Sequence, residues 1–365
     1  MYVALRDLAH ARGRFVLMSV VIVLITFLVT FLASLTAGLT RESTSAVTDL
    51  PSDRIAFSMP GADDAPEFTA SRVTADQWEG WARVPGVESA DPLGVATTRA
   101  ESAGTTASVT ALGVADGSDL VPWSTGDVAP GTVVLTPGAA GALDAQNGDT
   151  VALGGGELVV AGIADADESF SHTPVVWTTL DDWQTIGARG ADASDAPVAT
   201  VVALTTTGAD GAILADADAE LGTTTVTRSD ARSAVSSFAG ENTSLTTMQA
   251  FLLVISALVV GAFFTVWTIS RSGDVAVLKA LGASTGYLLR DALGQAAVLL
   301  VGGVAVGTAL TVAGASLLPA AVPVVVTAAT TLVPAVGLVL LGLVGAGVSV
   351  ARITRIDPHA ALAAR

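Results

Sequence analysis

The sequence predicts a membrane α-helical protein with four transmembrane helices and an α+β extracytoplasmic domain inserted between helices 1 and 2. Three observations carry this prediction. Apolar residues make up 51% of the chain and charged residues only 14%, a balance typical of membrane-spanning chains. The apolar residues are concentrated in four runs, 15–39, 248–269, 288–317 and 332–350, each close to or above the roughly 20 residues a helix needs to cross a bilayer. Charge is also divided by region. Residues 41–245 hold 30 of the 34 acids but 8 of the 17 bases, a net −22, whereas the rest of the chain sums to +5. One folded unit rarely carries both characters, so the charge marks the boundary between a water-facing domain and a membrane part.

Residues 1–14 place Val3, Leu5 and Leu8 towards one helical face, with Arg6, Arg12 and Arg14 as the polar part. This reads as a cytoplasmic amphipathic helix lying on the bilayer surface. Helix 1 is assigned to 15–40. Its apolar run of 25 residues corresponds to about 37 Å of helix. That is too long for the apolar core of a signal peptide, so it is expected to remain as an anchor. The extracytoplasmic domain takes 41–245 and helix 2 takes 246–270. A short charged segment, 271–287, leads to helix 3 at 288–318. Helix 4 follows at 324–350, and 351–365 form a cytoplasmic tail. Basic residues set the orientation. Arg6, Arg12 and Arg14, then Arg271, Lys279 and Arg290, then Arg352, Arg355 and Arg365 all fall on one side of a chain that crosses four times. That side is the cytoplasm of a cell membrane, with both termini inside and the large domain outside.

Within the outer domain, 75–83 reads as a helix capped by Thr74, with Trp78 and Trp81 facing inward. Strands are expected at 93–99 and 107–114 around a turn at Ala103-Gly104, and at 132–135, with a helix near 138–143. Asn147-Gly148-Asp149 is a turn before strands 150–153 and 157–163. Further strands fall at 175–178 and 198–204, and a helix at 213–221. Two subregions are expected: 46–115 with 196–238, and 116–190 inserted between them. In helices 3 and 4, Gly303, Gly307, Gly337, Gly342, Gly345 and Gly347 allow close helix packing, read here as packing within one subunit.

Several chemistries are excluded. A phosphate-binding loop needs Gly-x-x-x-x-Gly-Lys-Ser/Thr, and the sole lysine, Lys279, is followed by Ala280. No nucleophile-elbow or zinc-protease motif occurs, and no enzymatic activity is expected of this chain. There is no cysteine, hence no disulfide or thiolate metal site. The three histidines, His10, His172 and His359, are far apart and on both sides of the membrane. Asp165-Ala166-Asp167-Glu168 reads as a solvated surface loop, and no metal site is assigned. Without an extended basic patch, no nucleic-acid partner is expected.

Three features carry a family resemblance: the order of one helix, a large outer domain and three helices; the segment 274–284, Asp-Val-Ala-Val-Leu-Lys-Ala-Leu-Gly-Ala-Ser; and the ending Ile356-Asp357-Pro358-His359-Ala360-Ala361-Leu362. With them the chain resembles the permease subunits of MacB/FtsX-type (type VII) ABC transporters. The resemblance implies a homodimer in the lipid bilayer served by two copies of a separate ATPase, which binds the ATP. It also implies mechanotransmission, in which ATPase closure is passed along stiff helices to the outer side. Segment 271–287 is then the coupling element, with Arg271, Asp274 and Lys279 for polar contacts and Val277, Leu278 and Leu281 for buried ones.

The compact outer domain resembles the haem-exporting members more than the larger macrolide exporters. This implies haem as the transported substrate, with no intrinsic cofactor. A haem slot needs apolar walls and usually an axial ligand. The outer-side candidates are Glu42, Glu241, Met248 and His172, with Phe27, Phe31 and Phe251 as lining. Two alternatives stay open: export of an antimicrobial peptide, lipid or lipoprotein, and an FtsX-like regulator of an extracellular cell-wall hydrolase that transports nothing.

Overall fold

A computed structural model of the chain describes residues 12–61, 64–121, 128–188, 198–270, 273, 277, 281–319 and 322–353. It divides into two compact units, Leu39–Asn242 and the remainder of the chain.

Four long helices are apolar enough to cross a membrane: α1 (Arg12–Thr48), α7 (Ser236–Ser270), α8 (Thr285–Ser316) and α9 (Ala328–Ile353). Between α1 and α7 lie β1 (Arg54–Phe57), β2 (Val73–Thr74), α2 (Ala75–Trp81), β3 (Val87–Ser102), β4 (Thr105–Val114), β5 (Thr132–Leu135), α3 (Pro137–Leu143), β6 (Thr150–Leu153) and β7 (Gly156–Ile163). They are followed by β8 (Ser169–Phe170), β9 (Thr173–Thr179), α4 (Leu180–Trp183), β10 (Val198–Ala199), β11 (Val201–Thr206), α5 (Gly211–Leu221), β12 (Thr224–Thr227) and α6 (Arg228–Ala231).

In the outer unit the main sheet runs β12-β1-β11-β3-β4-β9-β5-β7-β6, with β8 added to β9. The first five strands come from the expected outer subregion and the next four from the inserted one, and the parallel pair β4–β9 joins them. Strand β6 returns to pair with β3, Leu153 opposite Ala100. The six strands β3, β4, β9, β5, β7 and β6 therefore close on themselves, which leaves no free edge among them. Strand β5 shows why its sequence is apolar at successive positions. Val133 and Leu135 point into one core and Val134 into the other, so both faces are buried. Gly94 and Gly113, opposite each other on β3 and β4, form the floor under Trp183. A Cβ at either would lie 2.5 Å from that side chain.

Thr74 caps α2 in a capping box with Gln77, and Trp81 is fully buried, as the spacing predicts. The expected strand 198–204 is instead broken into β10 and β11. Thr200 leaves the ladder there, because its hydroxyl accepts from Val95 N at 2.8 Å and its own N–H bonds Leu93 O.

The helices flanking the domain are longer than their apolar runs suggest. Helix α1 continues to Thr48, eight residues beyond the expected end at 40, and α7 begins at Ser236 rather than 246. Ser43, Thr44, Ser45, Ala46 and Val47 are all buried. Thr44 Oγ1 bonds Thr40 O at 2.7 Å within the helix, whereas the hydroxyls of Ser43 and Ser45 bond His172 and Ser169 of the β8–β9 hairpin. Polar residues therefore continue the helix instead of ending it. Ala46, Val47 and Leu50 join a core with Phe57, Phe68, Phe170, Trp177 and Phe238.

In the membrane unit, small residues set the contacts. A Cβ on Gly303 would lie 2.7 Å from Ile22, and one on Gly307 would lie 2.6 Å from Thr26. The Gly-x-x-x-Gly face of α8 is thus used against α1 of the same chain. Hydroxyl pairs join helices beside it, Thr30 with Thr311 at 2.6 Å and Thr265 with Ser349 at 2.8 Å. Helix α9 starts at Ala328 and not at 324. Val325 N donates to Ser34 O at 3.0 Å, and Thr327 Oγ1 accepts from Thr330 N as the cap. The preceding residues are thereby held extended.

Candidate functional site

The candidate site lies in the outer unit and is built on three elements. The end of α1 contributes Glu42 and Ser43, and the start of α7 contributes Ser237 and Glu241. These two lie four apart, on one helix face. The third element is the two-residue turn between β8 and β9, formed by Ser171 and His172.

That turn is unusual in composition. Its residues have φ of 52° and 62°, the left-handed region that tight hairpins require and that glycine and asparagine normally fill. A serine and a histidine held there cost about 1–2 kcal/mol each. The surroundings hold them in place. Ser171 N donates to Ser43 O at 2.9 Å and His172 N to Glu42 O at 3.2 Å, and Ser171 Oγ bonds Ser237 Oγ at 3.0 Å. Ser45 Oγ accepts from Ser169 N at 2.8 Å. Phe170 packs edge-on against Phe68, 5.3 Å between centroids, which seats the hairpin in the core.

The His172 ring lies between carboxylates. Its Nε2 is 2.9 and 3.0 Å from the two oxygens of Glu241 and 2.8 Å from Ser43 Oγ. Its Nδ1 is 3.8 Å from Glu42 Oε2. A carboxylate at Nε2 calls for a proton on that nitrogen, so the Nε2–H donates to Glu241. The ring and both carboxylates keep solvent access, with 30% of the histidine side chain and 44% of each glutamate side chain exposed.

Beneath this site lies Glu168, 1% exposed. Burial pushes its carboxyl up to about 7, against a 3.0 Å hydrogen bond from Trp177 Nε1 that favours the charged form. Asp49 raises it further and Arg41 lowers it, and these two form an ion pair at 3.2 Å. The run 165–168 is therefore not simply a solvated loop. Asp167 accepts from Gly138 N at 2.9 Å, and Glu168 is in the core. Among the described residues, no group of three or more His, Asp or Glu side chains has the arrangement of a metal site.

Of the sequence candidates, Glu42, His172 and Glu241 are brought together. Met248 belongs to the other unit and is 51% exposed. Phe27 and Phe31 stack, 5.6 Å between centroids, whereas Phe251 is 65% exposed on α7. Ser43, Ser171 and Ser237 were not candidates; a Ser-His pair between two strands carries no strong turn signal. In the segment between α7 and α8, Val277 and Leu281 are exposed, and Leu281 N bonds Val277 O at 3.0 Å. Arg271, Asp274, Leu278 and Lys279 lie outside the described residues, as do 1–11 and 354–365.

Four apolar spans and an extracytoplasmic α+β domain between the first two define a multi-pass membrane protein. Residues 15–223 match the MacB-like periplasmic core domain and residues 247–358 the FtsX-like permease C-terminal family. The chain belongs to the MacB/FtsX-type ABC transporter permeases. A Staphylococcus epidermidis protein named as a hemin transport system permease, HrtB, is 30% identical over 141 residues, 39% of this chain and 40% of that protein. The matched stretch thus spans about two fifths of that relative's length. An uncharacterized ABC transporter permease of Mycobacterium tuberculosis is 28% identical over 281 residues, 76% of this chain and 75% of that protein. The extracellular domain of the noncanonic ABC-type transporter YknZ from Gram-positive bacteria aligns with a TM-score of 0.36 at 17% identity, covering 48% of this chain and 99% of that one.

Proposed function

We propose that this permease is the membrane subunit of an efflux pump that takes haem from the membrane and expels it outward, protecting the cell from haem toxicity. The observation that carries the reading is the meeting of Glu42 and Glu241. These are acids from α1 and α7, both part-exposed and set around one imidazole. Carboxylates are hard oxygen donors suited to ferric iron, and Glu42 and Glu241 are the proposed ligands. The partial likeness to the staphylococcal relative supports the same substrate.

The chain itself supplies binding and movement, not hydrolysis. The family implies a separate ATPase, and the proposed assembly is two copies of it on a homodimer of this chain. Arg271, Asp274, Val277, Leu278, Lys279 and Leu281 are the proposed contacts. Long helices suit mechanotransmission: α1 has 37 residues and α7 has 35, each well beyond the roughly 20 that a bilayer demands. The test is haem efflux from vesicles holding the complex with its ATPase. ATP-dependent loss of haem is expected, and it should be abolished by Glu42→Ala with Glu241→Ala. Efflux unaffected by the double change contradicts the ligand assignment. Absence of efflux, together with capture of a secreted hydrolase by the outer domain, replaces the transport reading with a regulatory one.

A further inference from the structure

Outside the transport reading, one arrangement has no structural necessity. A hairpin turn does not need histidine, although histidine is among the non-glycine residues that enter the left-handed region. Yet the residue at that position reaches two helices at once. Its backbone N–H is bonded to the Glu42 carbonyl, its Nε2 to Glu241, and its Nδ1 faces the Glu42 carboxylate. Its neighbour Ser171 repeats the pattern, with the backbone on Ser43 of α1 and the side chain on Ser237 of α7. Two successive turn residues thus each tie the end of α1 to the start of α7. Strain kept at such a position points to a functional demand.

We propose that His172 is the positioning residue for the Glu42–Glu241 pair: its ring holds the Glu241 carboxylate, stands 3.8 Å from that of Glu42, and yields the pair to a ligand only when it swings out. The proposal rests on the reading of those glutamates as ligands. It gives His172 a part different from that of an iron ligand. While Nε2 is engaged with Glu241 and Nδ1 faces Glu42, neither ring nitrogen is open to a metal. Because Nε2 lies against both oxygens of Glu241, a ligand that takes that carboxylate together with Glu42 has to displace the imidazole. The displaced hydrogen bond joins two solvent-accessible side chains, so its loss weighs modestly on binding. The charged groups around the ring are Glu42 on α1 and Glu241 on α7, with Arg41, Asp49, Asp167 and Glu168 in and around the layer beneath.

Two measurements on the full chain with its ATPase separate this proposal from the haem reading. The first is haem titration followed by absorbance. His172→Asn, which tolerates the left-handed turn but is too short to reach Glu241, is expected to tighten haem binding by about three- to fivefold. Glu241→Ala should weaken it. His172→Gln, which restores a donor towards Glu241, should return affinity towards that of the unmodified chain. A fall in affinity in His172→Asn that parallels the Glu241→Ala variant, or no change, overturns the proposal.

The second measurement needs no haem. The chain has no cysteine, so Ser171→Cys with Ser237→Cys places its only two thiols at the 3.0 Å contact. Oxidative cross-linking is expected to be fast, and severalfold slower when His172→Asn is added. An unchanged rate overturns the proposal even if haem binds. If no haem binds but the rate falls, the substrate reading fails and the positioning role of His172 stands.

Discussion

His172 Nε2 and Glu241 Oε2 are 2.9 Å apart, although 69 residues separate them in sequence. The contact joins a β-hairpin turn to the helix that continues into the second membrane span. Both side chains retain solvent access, so its energetic worth is modest, about 1 kcal/mol or less for an exposed pair. Glu241→Ala is accordingly expected to lower outer-domain stability by no more than about 1 kcal/mol, with the difference shrinking in high salt. Unfolding in denaturant at low and high ionic strength checks this. A loss several times larger and insensitive to salt would mean that Glu241 is a folding determinant and not a site residue.

Glu168 makes stability depend on pH. Its carboxyl titrates near 7 when folded and near 4.5 in the unfolded chain. The folded state therefore holds a proton that the unfolded state releases between those values. Stability is greatest below about pH 4.5 as far as this group is concerned. It declines as pH rises through 7, to a total of about 3 kcal/mol. Glu168→Gln keeps an oxygen for Trp177 Nε1 and carries no charge. It is expected to stabilise the outer domain at pH 8 by roughly that amount and by much less at pH 5. Equal pH slopes for both proteins would exclude Glu168 as their source.

The packing of α8 on α1 leaves no room at Gly307, where a Cβ would lie 2.6 Å from the Thr26 Cβ and 2.7 Å from the Val23 carbonyl. Gly307→Leu should cost at least about 1–3 kcal/mol by overpacking, read as a lower melting temperature of the detergent-solubilised chain. Gly337 on α9 has no neighbour within 4 Å of an added Cβ. Gly337→Ala should be close to neutral or slightly stabilising. Similar losses at both positions would show that helix flexibility and not contact is at stake.

In the proposed coupling segment between α7 and α8, Lys279→Glu or Leu278→Asp is expected to uncouple ATP hydrolysis from export while the chain remains in the membrane. The measurement is substrate-stimulated ATPase activity in vesicles. Full stimulation in both variants would remove this segment from the coupling path.

The sequence made the membrane plan legible because hydropathy and charge act over long windows, where local exceptions average out. The outer strands were legible where turns carry glycine or asparagine, as at Gly104 and Gly148. Helix α1 beyond residue 40 was not legible. Ser43, Thr44 and Ser45 look like a helix end, yet all three are buried, with Ser43 and Ser45 bonded to the hairpin and Thr44 to its own helix. Glu42 and Glu241 could be picked out as acids beside apolar runs. Their meeting at His172 could not, since it depends on a turn whose residues do not announce it. Glu168 was misread for a related reason. An acid in an acidic run looks solvated, and the hydrogen bond to Trp177 that seats it in the core joins the segment before β8 to β9.

The most direct measurement is the absorption spectrum of the purified complex with haem added. A Soret band that is present in the unmodified complex and weakened by Glu42→Ala and by Glu241→Ala is the expected result. A complex that shows no Soret band, or one whose band is untouched by either change, would contradict the assignment of these glutamates to a haem site.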